Sequence, residues 1–363
     1  MTAIIAPGAT IGIIGAGQLG RMSAVAAAEL GYRTHVFAPE EDGPAFQVAA
    51  RHTRAAYTDE RALKAFAEAC DVITFEFENI PKTCVQWLAA RAPVRPGWKS
   101  LATSQDRIVE KTFLNALGVA TAPWRAIHGG EDLCAALKDI PERAILKTAR
   151  LGYDGKGQIR VDKDTECASA WAALETTSAV LEGFVDFKME LSVIVARGPD
   201  GATAAYDPVE NRHVGGILNT TIAPATIPAT VTTEATAIAE KIAQALDLVG
   251  LLAVEFFLTP DDRLSVNEIA PRPHNSGHWT QDGAVTSQFE QFIRAVCGLP
   301  LGSPARHSDT VMKNLIGGEA DDWLNILGDP DNKLHLYGKH EARPGRKMGH
   351  VNRLHPKGSS LDI

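Results

Sequence analysis

Two glutamates have the spacing of a metal site. Glu255 and Glu268 lie on the arms of a predicted β-hairpin, Ala253–Thr259 and Leu264–Glu268, joined by Pro260-Asp261-Asp262-Arg263. With that four-residue loop Thr259 faces Leu264, and the same register sets Glu255 directly across from Glu268 on one face. Like charges so placed repel unless something offsets them. A divalent ion answers this: carboxylate oxygens are hard ligands that suit magnesium, and nucleotide phosphates complete its shell. Two solvated surface glutamates are the bland alternative. Their neighbours Ala253, Val254, Phe256, Phe257 and Val266 are too apolar for an open surface. Asn267 adds an oxygen only where the strand is irregular, because strict alternation points it to the other face.

A glycine-rich segment supplies a partner for such an ion. Lys147-Thr148-Ala149-Arg150-Leu151-Gly152-Tyr153-Asp154-Gly155-Lys156-Gly157-Gln158 falls between two predicted strands and opens no helix, so it is not a Walker loop. A strand–loop–strand of this kind can fold its backbone N–H groups over nucleotide phosphates as a flap, with glycine allowing close approach and positive φ. Lys147 adds a point charge from the preceding strand. The extended run Leu181-Glu182-Gly183-Phe184-Val185 can offer a donor and an acceptor to an adenine edge, and Glu190 can accept from ribose hydroxyls; ordinary strands look the same. After the hairpin, Pro271-Arg272-Pro273-His274-Asn275-Ser276-Gly277-His278 is held extended by its prolines. Arg272 and Asn275 suit a small oxyanion. His274 and His278 have the spacing of a helical metal pair, but the prolines argue against a helix and so against zinc.

Gly15-Ala16-Gly17-Gln18-Leu19-Gly20 matches G-x-G-x-x-G between a strand and a helix. A nicotinamide site also wants an acidic residue closing the second strand, and that strand ends Val36-Phe37-Ala38-Pro39, with Glu40 arriving after the proline. The glycines then serve tight packing, and the helix N-terminus is expected to greet another anion, a substrate phosphate. Residues 333–357 hold seven lysines and arginines, among them Lys339, Arg343, Arg346 and Lys347, against Glu341 alone. In a chain of net charge -8 this predicts an anionic ligand. Only Tyr337 accompanies them as an aromatic platform, which argues against RNA.

These groups need a scaffold of more than one domain, and 363 residues with 45% apolar content allow two or three. The first hundred residues alternate strand and helix, which implies a parallel sheet. A helix is predicted over Ser104–Leu117, with Ser104 as its N-cap; beyond it the pattern turns antiparallel. The acidic balance points away from generic nucleic-acid or membrane binding, and no apolar run reaches about 18 residues. The five cysteines are widely spaced without CxxC and read as buried free thiols in a soluble cytoplasmic protein.

These motifs, in this order, resemble the ATP-grasp superfamily and, within it, the 5-(carboxyamino)imidazole ribonucleotide synthetases. The similarity runs from about Thr10 to Leu354. It is carried by Gly15–Met22 (GAGQLGRM), Thr74–Ile80 (TFEFENI), Gln105–Leu114 (QDRIVEKTFL), Lys147–Gln158, Asn267–Trp279 (NEIAPRPHNSGHW) and Arg343–His350 (RPGRKMGH). The resemblance implies a mixed α/β and α+β architecture. Residues 1–103 would form a Rossmann-like pre-ATP-grasp domain, and 104–297 an ATP-grasp domain of two antiparallel β lobes with helices (small lobe about 122–186). Residues 298–363 would form a small β-rich C-terminal domain. The implied activity is ATP-dependent carboxylation of 5-aminoimidazole ribonucleotide by bicarbonate, through carboxyphosphate, in purine synthesis.

Carried over by position, the resemblance makes Arg107 and Lys147 the ATP-phosphate cations and Gly152–Gln158 the mobile flap. It places adenine at Glu182, Gly183, Phe184 and Val185, and the ribose at Glu190. His213, which by itself reads as a satisfied polar histidine, becomes a nucleotide-site residue. Glu255 and Glu268 would hold two magnesium ions, with manganese as a substitute and Asn267 adjacent. Tyr153, Asp154, Lys339, Arg346 and Glu76 would take the ribonucleotide; Lys156 belongs to the flap, and Ala38 offers no polar side chain. Arg272, His274 and Asn275 would form the bicarbonate pocket and, with Lys147 and Lys339, the catalytic set. A homodimer that hands its product to the next mutase is implied too. The rivals are a formate-using purine transformylase of the same superfamily and, more remotely, a nicotinamide-dependent oxidoreductase.

Overall fold

The computed structural model describes residues 4–139, 143–152 and 157–359. The N-terminal rhythm yields a parallel sheet of β1 (Thr10–Ile14), β2 (Arg33–Ala38), β3 (Arg51–Arg54) and β4 (Val72–Phe75), in the order β3-β2-β1-β4. β1 is apolar because both its faces are covered. Ile11 and Ile13 pack in one core with α1 (Gln18–Glu29), while Ile14 meets Phe37, Phe66 and Phe75 in another. Phe66 comes from α2 (Glu60–Glu68), and α3 (Lys82–Ala89) and α4 (Trp98–Ser104) close that side.

The helix expected over Ser104–Leu117 is α5 (Arg107–Ala116), which starts later than expected because Ser104 is the last residue of α4. Asp106 separates them. Its backbone is extended, and its carboxylate accepts from the N–H groups of Ile108 at 3.0 Å and Val109 at 3.4 Å. A short acidic side chain satisfies orphan amides at a helix start better than it serves a helix interior, so Asp106, not Ser104, is the N-cap.

A second sheet, antiparallel, contains β5 (Trp124–Ile127), β6 (Arg143–Thr148), β7 (Gln158–Asp162) and β8 (Ala179–Gly183), ordered β5-β8-β6-β7. α6 (Gly130–Ala136) and α7 (Cys167–Ala173) cover one face, packing Leu133 and Ala170 on Leu146 and Leu181. Here the expectation of free thiols fails for two of the five cysteines. α6 and α7 bring Cys134 and Cys167 to a Cα–Cα distance of 5.7 Å, and the two form a disulfide. Cysteine spacing cannot reveal that, because the pairing depends on how two helices dock. Cys70, Cys84 and Cys297 are free.

The third sheet has nine strands. β9 (Met189–Arg197), β10 (Thr203–Ala205), β11 (Val209–Val214), β12 (Ile217–Ala223), β13 (Gly250–Leu258) and β14 (Leu264–Ala270) are joined by β15 (Ser308–Ile316), β16 (Asn332–Leu336) and β17 (Lys347–Pro356). Their order is β14-β13-β9-β11-β12-β15-β17-β16, with β10 paired to β9. The C-terminal strands therefore continue the central sheet through the β12–β15 pairing. α8 (Ala229–Ala245) lays Val231, Ala235, Ala239 and Ile242 on Val193, Val195 and Val254 on one face. On the other, Ile194, Ala196, Leu251 and Ala253 join a core with α10 (Gln288–Cys297). α9 (Thr280–Gly283) and α11 (Trp323–Leu327) complete the helices among the described residues, none of which is long and apolar enough to cross a membrane.

Candidate functional site

The two glutamates face each other, but by a different route from the one expected. The last hairpin pair is Leu258 with Leu264, so the connection has one residue more than predicted, and Phe256 pairs with Val266. A bulge at Asn267 then restores the register, and Glu255 pairs with Glu268. The bulge leaves Asn267 without a partner across the strand. Its buried Oδ1 accepts no hydrogen bond, and its main-chain oxygen is 3.5 Å from Lys111 Nζ. Two carboxylates and an unpartnered amide oxygen form a hard-donor set that fits magnesium. Among the described residues no cluster of three or more His, Cys, Asp or Glu is placed to hold a metal, so the remaining positions fall to other oxygens.

The pair is asymmetric. Burial and the neighbouring Glu268 push the Glu255 carboxyl up to about 8, with His213 opposing. Burial also acts to raise Glu268, yet Arg107 and Lys147 outweigh it and hold Glu268 below the usual carboxylate range. Arg107 Nη1 is 3.2 Å from Glu268 Oε2. α5 starts at Arg107, whose N–H donates to Ala149 O at 2.9 Å and so ties the helix start to the end of the strand bearing Lys147.

Lys147 Nζ reaches Glu182 Oε2 at 2.9 Å, and Lys111 Nζ reaches Glu182 Oε1 at 3.3 Å with its side chain fully buried. Burial lowers Lys147 against the pull of Glu182, with Arg107 and Lys111 adding to the lowering. Glu182 is held low by Lys147 and Lys111 in spite of burial. Its carboxylate is thus a counter-ion to the two lysines. The adjoining Gly183 and Phe184 donate their N–H groups to Pro123 O at 2.8 Å and Arg143 O at 2.9 Å, and Val185 follows on the segment leading to β9. Glu190 Oε2 lies 2.7 Å from His213 Nδ1, so the histidine does have a polar partner.

At the flap, β6 and β7 pair up to Lys147 with Gln158, and Gly157 O accepts from Thr148 N at 2.8 Å. Gly157 has φ +69, and a Cβ on it would stand 2.8 Å from Thr148 Oγ1. Gly152 is described; Tyr153, Asp154, Gly155 and Lys156 lie outside the described residues.

The loop after β14 is more helical than its prolines suggest. His274 caps a single 3-10 turn, Asn275–Gly277, before α9. His274 Nε2 lies 3.2 Å from Glu255 Oε1. Burial, then Arg272 and Lys347, keep His274 well below the ordinary histidine range, so the ring is neutral. Arg272 pairs with Glu78 at 3.4 Å. Asn275 has both side-chain polar atoms buried and unpartnered, as an oxyanion pocket with unfilled hydrogen-bonding capacity requires. His278 diverges from His274: it is buried against Gln288 and packs on His350.

The first glycine motif already has an internal acceptor, a carboxyl that burial raises against the pull of the Gly17 and Gly20 N–H groups. Glu76 Oε1 accepts from Gly17 N at 2.8 Å and Oε2 from Gly20 N at 3.2 Å. A Cβ at Gly15 or Gly17 would fall 2.6 or 2.8 Å from Glu76 Oε1. The N–H groups of Gly17 and Gly20, at the helix start where a substrate phosphate was expected, are bonded to this protein side chain. The basic segment closes over the same domain: Gln47 Nε2 donates to Gly338 O at 2.7 Å, and His340 meets Asp42 at 3.3 Å. Lys339 Nζ donates to Lys347 O at 2.6 Å and Arg346 Nη1 to Glu341 O at 2.9 Å. Residue-by-residue reading missed Glu78, Lys111 and Glu110, whose buried Oε1 accepts from Ile269 N at 2.7 Å beside Glu268. The Arg107, Glu110, Lys111 spacing of i, i+3, i+4 was the signal for the last two, since it puts all three on one face of α5.

Comparison with known proteins fits this geometry. Residues 8–105 match the family description "Ribonucleotide synthetase preATP-grasp domain", 112–289 "ATP-grasp domain", and 310–362 "Phosphoribosylaminoimidazole carboxylase C-terminal domain". The N5-carboxyaminoimidazole ribonucleotide synthase of Brucella melitensis is 52% identical over 353 residues, covering 97% of this chain and 98% of its own. The solved ADP complex of an N5-carboxyaminoimidazole ribonucleotide synthetase superposes with a TM-score of 0.94 at 44% identity, covering 98% of this chain and 94% of that one. The Aspergillus clavatus N5-carboxyaminoimidazole synthase, solved with ADP and 5-aminoimidazole ribonucleotide, gives 0.89 at 31% identity, covering 96% and 94%. With relatives this similar along nearly its whole length, the chain belongs to the N5-carboxyaminoimidazole ribonucleotide synthase family.

Proposed function

We propose that this protein carboxylates the exocyclic amine of 5-aminoimidazole ribonucleotide, consuming ATP and bicarbonate, in purine synthesis. The observation that carries this reading is Glu255 opposite Glu268 with Arg107 and Lys147 converging beside them. Bicarbonate is a poor electrophile. One of its oxygens attacks the γ-phosphorus, the bond to ADP breaks, and carboxyphosphate forms. The amine nitrogen then attacks the carbonyl carbon, phosphate leaves with the bond electrons, and the nitrogen gives up a proton to yield the carbamate.

The chain's part is positioning and charge neutralisation. Arg107 and Lys147, pre-oriented by Glu268 and Glu182, meet the phosphate charge. Arg272, His274 and Asn275 hold bicarbonate, with the unpartnered Asn275 amide and the neutral His274 ring supplying direction. Glu190 and His213 take the ribose and the 182–185 segment the base. Lys339, Arg346 and Glu76, with Tyr153 and Asp154, serve the ribonucleotide. Glu255, Glu268 and the Asn267 oxygen would hold magnesium, whose chemistry is to neutralise phosphate charge.

Phosphate release with ATP tests the reading. Turnover should require both the aminoimidazole ribonucleotide and bicarbonate. Turnover with formate and glycinamide ribonucleotide instead would transfer the protein to the transformylases.

A further inference from the structure

Behind His274 runs a line of polar side chains where a sheet core would ordinarily be apolar. On the face of the nine-stranded sheet that bears Glu255, Thr221 Oγ1 donates to Asn211 Oδ1 at 2.9 Å. Asn211 Nδ2 donates to Ser192 Oγ at 2.9 Å, and Ser192 Oγ donates to Ser276 Oγ at 2.7 Å. Ser276 Oγ lies 2.9 Å from His274 Nδ1, and Ser276 N donates to the same nitrogen at 3.4 Å. Thr221, Ser192 and Ser276 are fully buried and Asn211 nearly so. The register explains the line: Thr221 pairs with Asn211 across β12–β11, and Ser192 pairs with Glu255 across β9–β13. A buried hydroxyl or amide costs stability unless bonded, so four in series form a device that holds only when every link is made.

The line has a direction. A backbone N–H can only donate, so Ser276 N makes His274 Nδ1 an acceptor. With Nδ1 accepting, the ring proton resides on Nε2, which faces Glu255 Oε1 at 3.2 Å. The opposite tautomer would turn a lone pair toward any bicarbonate in the pocket.

We propose that Thr221, Asn211, Ser192 and Ser276 are positioning residues that lock His274 as the Nε2–H tautomer, so that it presents a donor to the bicarbonate being phosphorylated. The inference rests on the assignment of His274 to the bicarbonate pocket. None of the four touches the reacting atoms; they act through the ring, as hydrogen-bonded partners behind metal-bound histidines do.

The test uses Thr221→Val, which keeps shape and removes the donor, Ser192→Ala, and Thr221→Ser, which restores the hydroxyl. In the whole protein, Thr221→Val and Ser192→Ala should lower kcat/KM for bicarbonate roughly 10-fold. The KM for ATP should stay within about twofold, since uniform binding is not the interaction removed. Thr221→Ser should recover most of the loss. Nitrogen-15 spectra of the histidines, recorded without substrates, should show His274 protonated at Nε2 in the wild type and a mixture of tautomers in the two disruptive variants. Wild-type bicarbonate kinetics and an unchanged His274 spectrum in both variants would overturn the proposal, as would equal losses for ATP and bicarbonate. A wild type that ignores bicarbonate would sink the carboxylase reading instead, and the spectra would still judge the tautomer lock.

Discussion

Glu255 and Glu268 share one face but not one proton affinity. Arg107 and Lys147 stand by Glu268, whereas Glu255 has burial and a like charge beside it, which lift it to about 8. Between the ordinary glutamate value and 8 the native chain therefore holds a proton that the unfolded chain has released. The native state binds more protons in that window, so this group's contribution to stability of the metal-free protein falls as pH rises. A cation must displace that proton. Binding of premixed magnesium–ATP should release close to one proton at pH 7 and tighten toward pH 8. Calorimetric titrations in two buffers of different ionisation enthalpy read that proton, and Glu255→Gln should remove it. Equal proton counts for wild type and variant would show that Glu255 is ionised already. At this scale the sequence was legible where chemistry sits on alternating strand positions. It could place Asn267 only on the condition of an irregular strand, which the bulge supplies, and it was silent on Glu78, whose partner Arg272 is remote in sequence.

Elements show how correct placements can come from an incorrect count. The hairpin loop is longer than the residue types suggested, and the bulge compensates for it. The same holds for the first glycine motif: its strand–turn–helix context was readable, but not that Glu76, 59 residues from Gly17, fills the helix start. Helix ends failed at Asp106, where a local side-chain cap outweighs helical periodicity. The disulfide was illegible for a tertiary reason, and it carries its own expectation. Cys134 and Cys167 are separated by 33 residues, a loop whose closure restricts the unfolded chain by about 3–4 kcal/mol. Reduction, or the double variant Cys134→Ser with Cys167→Ser, should lower the unfolding midpoint of the small sheet and its helices. Scanning calorimetry with and without reductant decides it; superimposable traces would mean the bridge adds nothing.

Across the whole molecule, class and order of elements followed from pattern: βα alternation first, antiparallel runs later. What pattern could not give was that strands from the C-terminal sixty residues belong to the same sheet as Glu255 and Glu268, because sheet membership is decided by pairing partners and not by periodicity. A chain ending at His307 should therefore associate through β12 and sediment as aggregates; a monomeric fragment in light scattering would contradict that.

The β12–β15 junction also bears on synthesis at the ribosome. Every residue of the carboxylate hairpin has emerged before β15 exists, so the growing polypeptide passes through a stage with its glutamate pair made and one flank of the sheet naked. During that interval a chaperone, or a neighbouring nascent chain, competes with the protein's own last strands for the same row of amides and carbonyls.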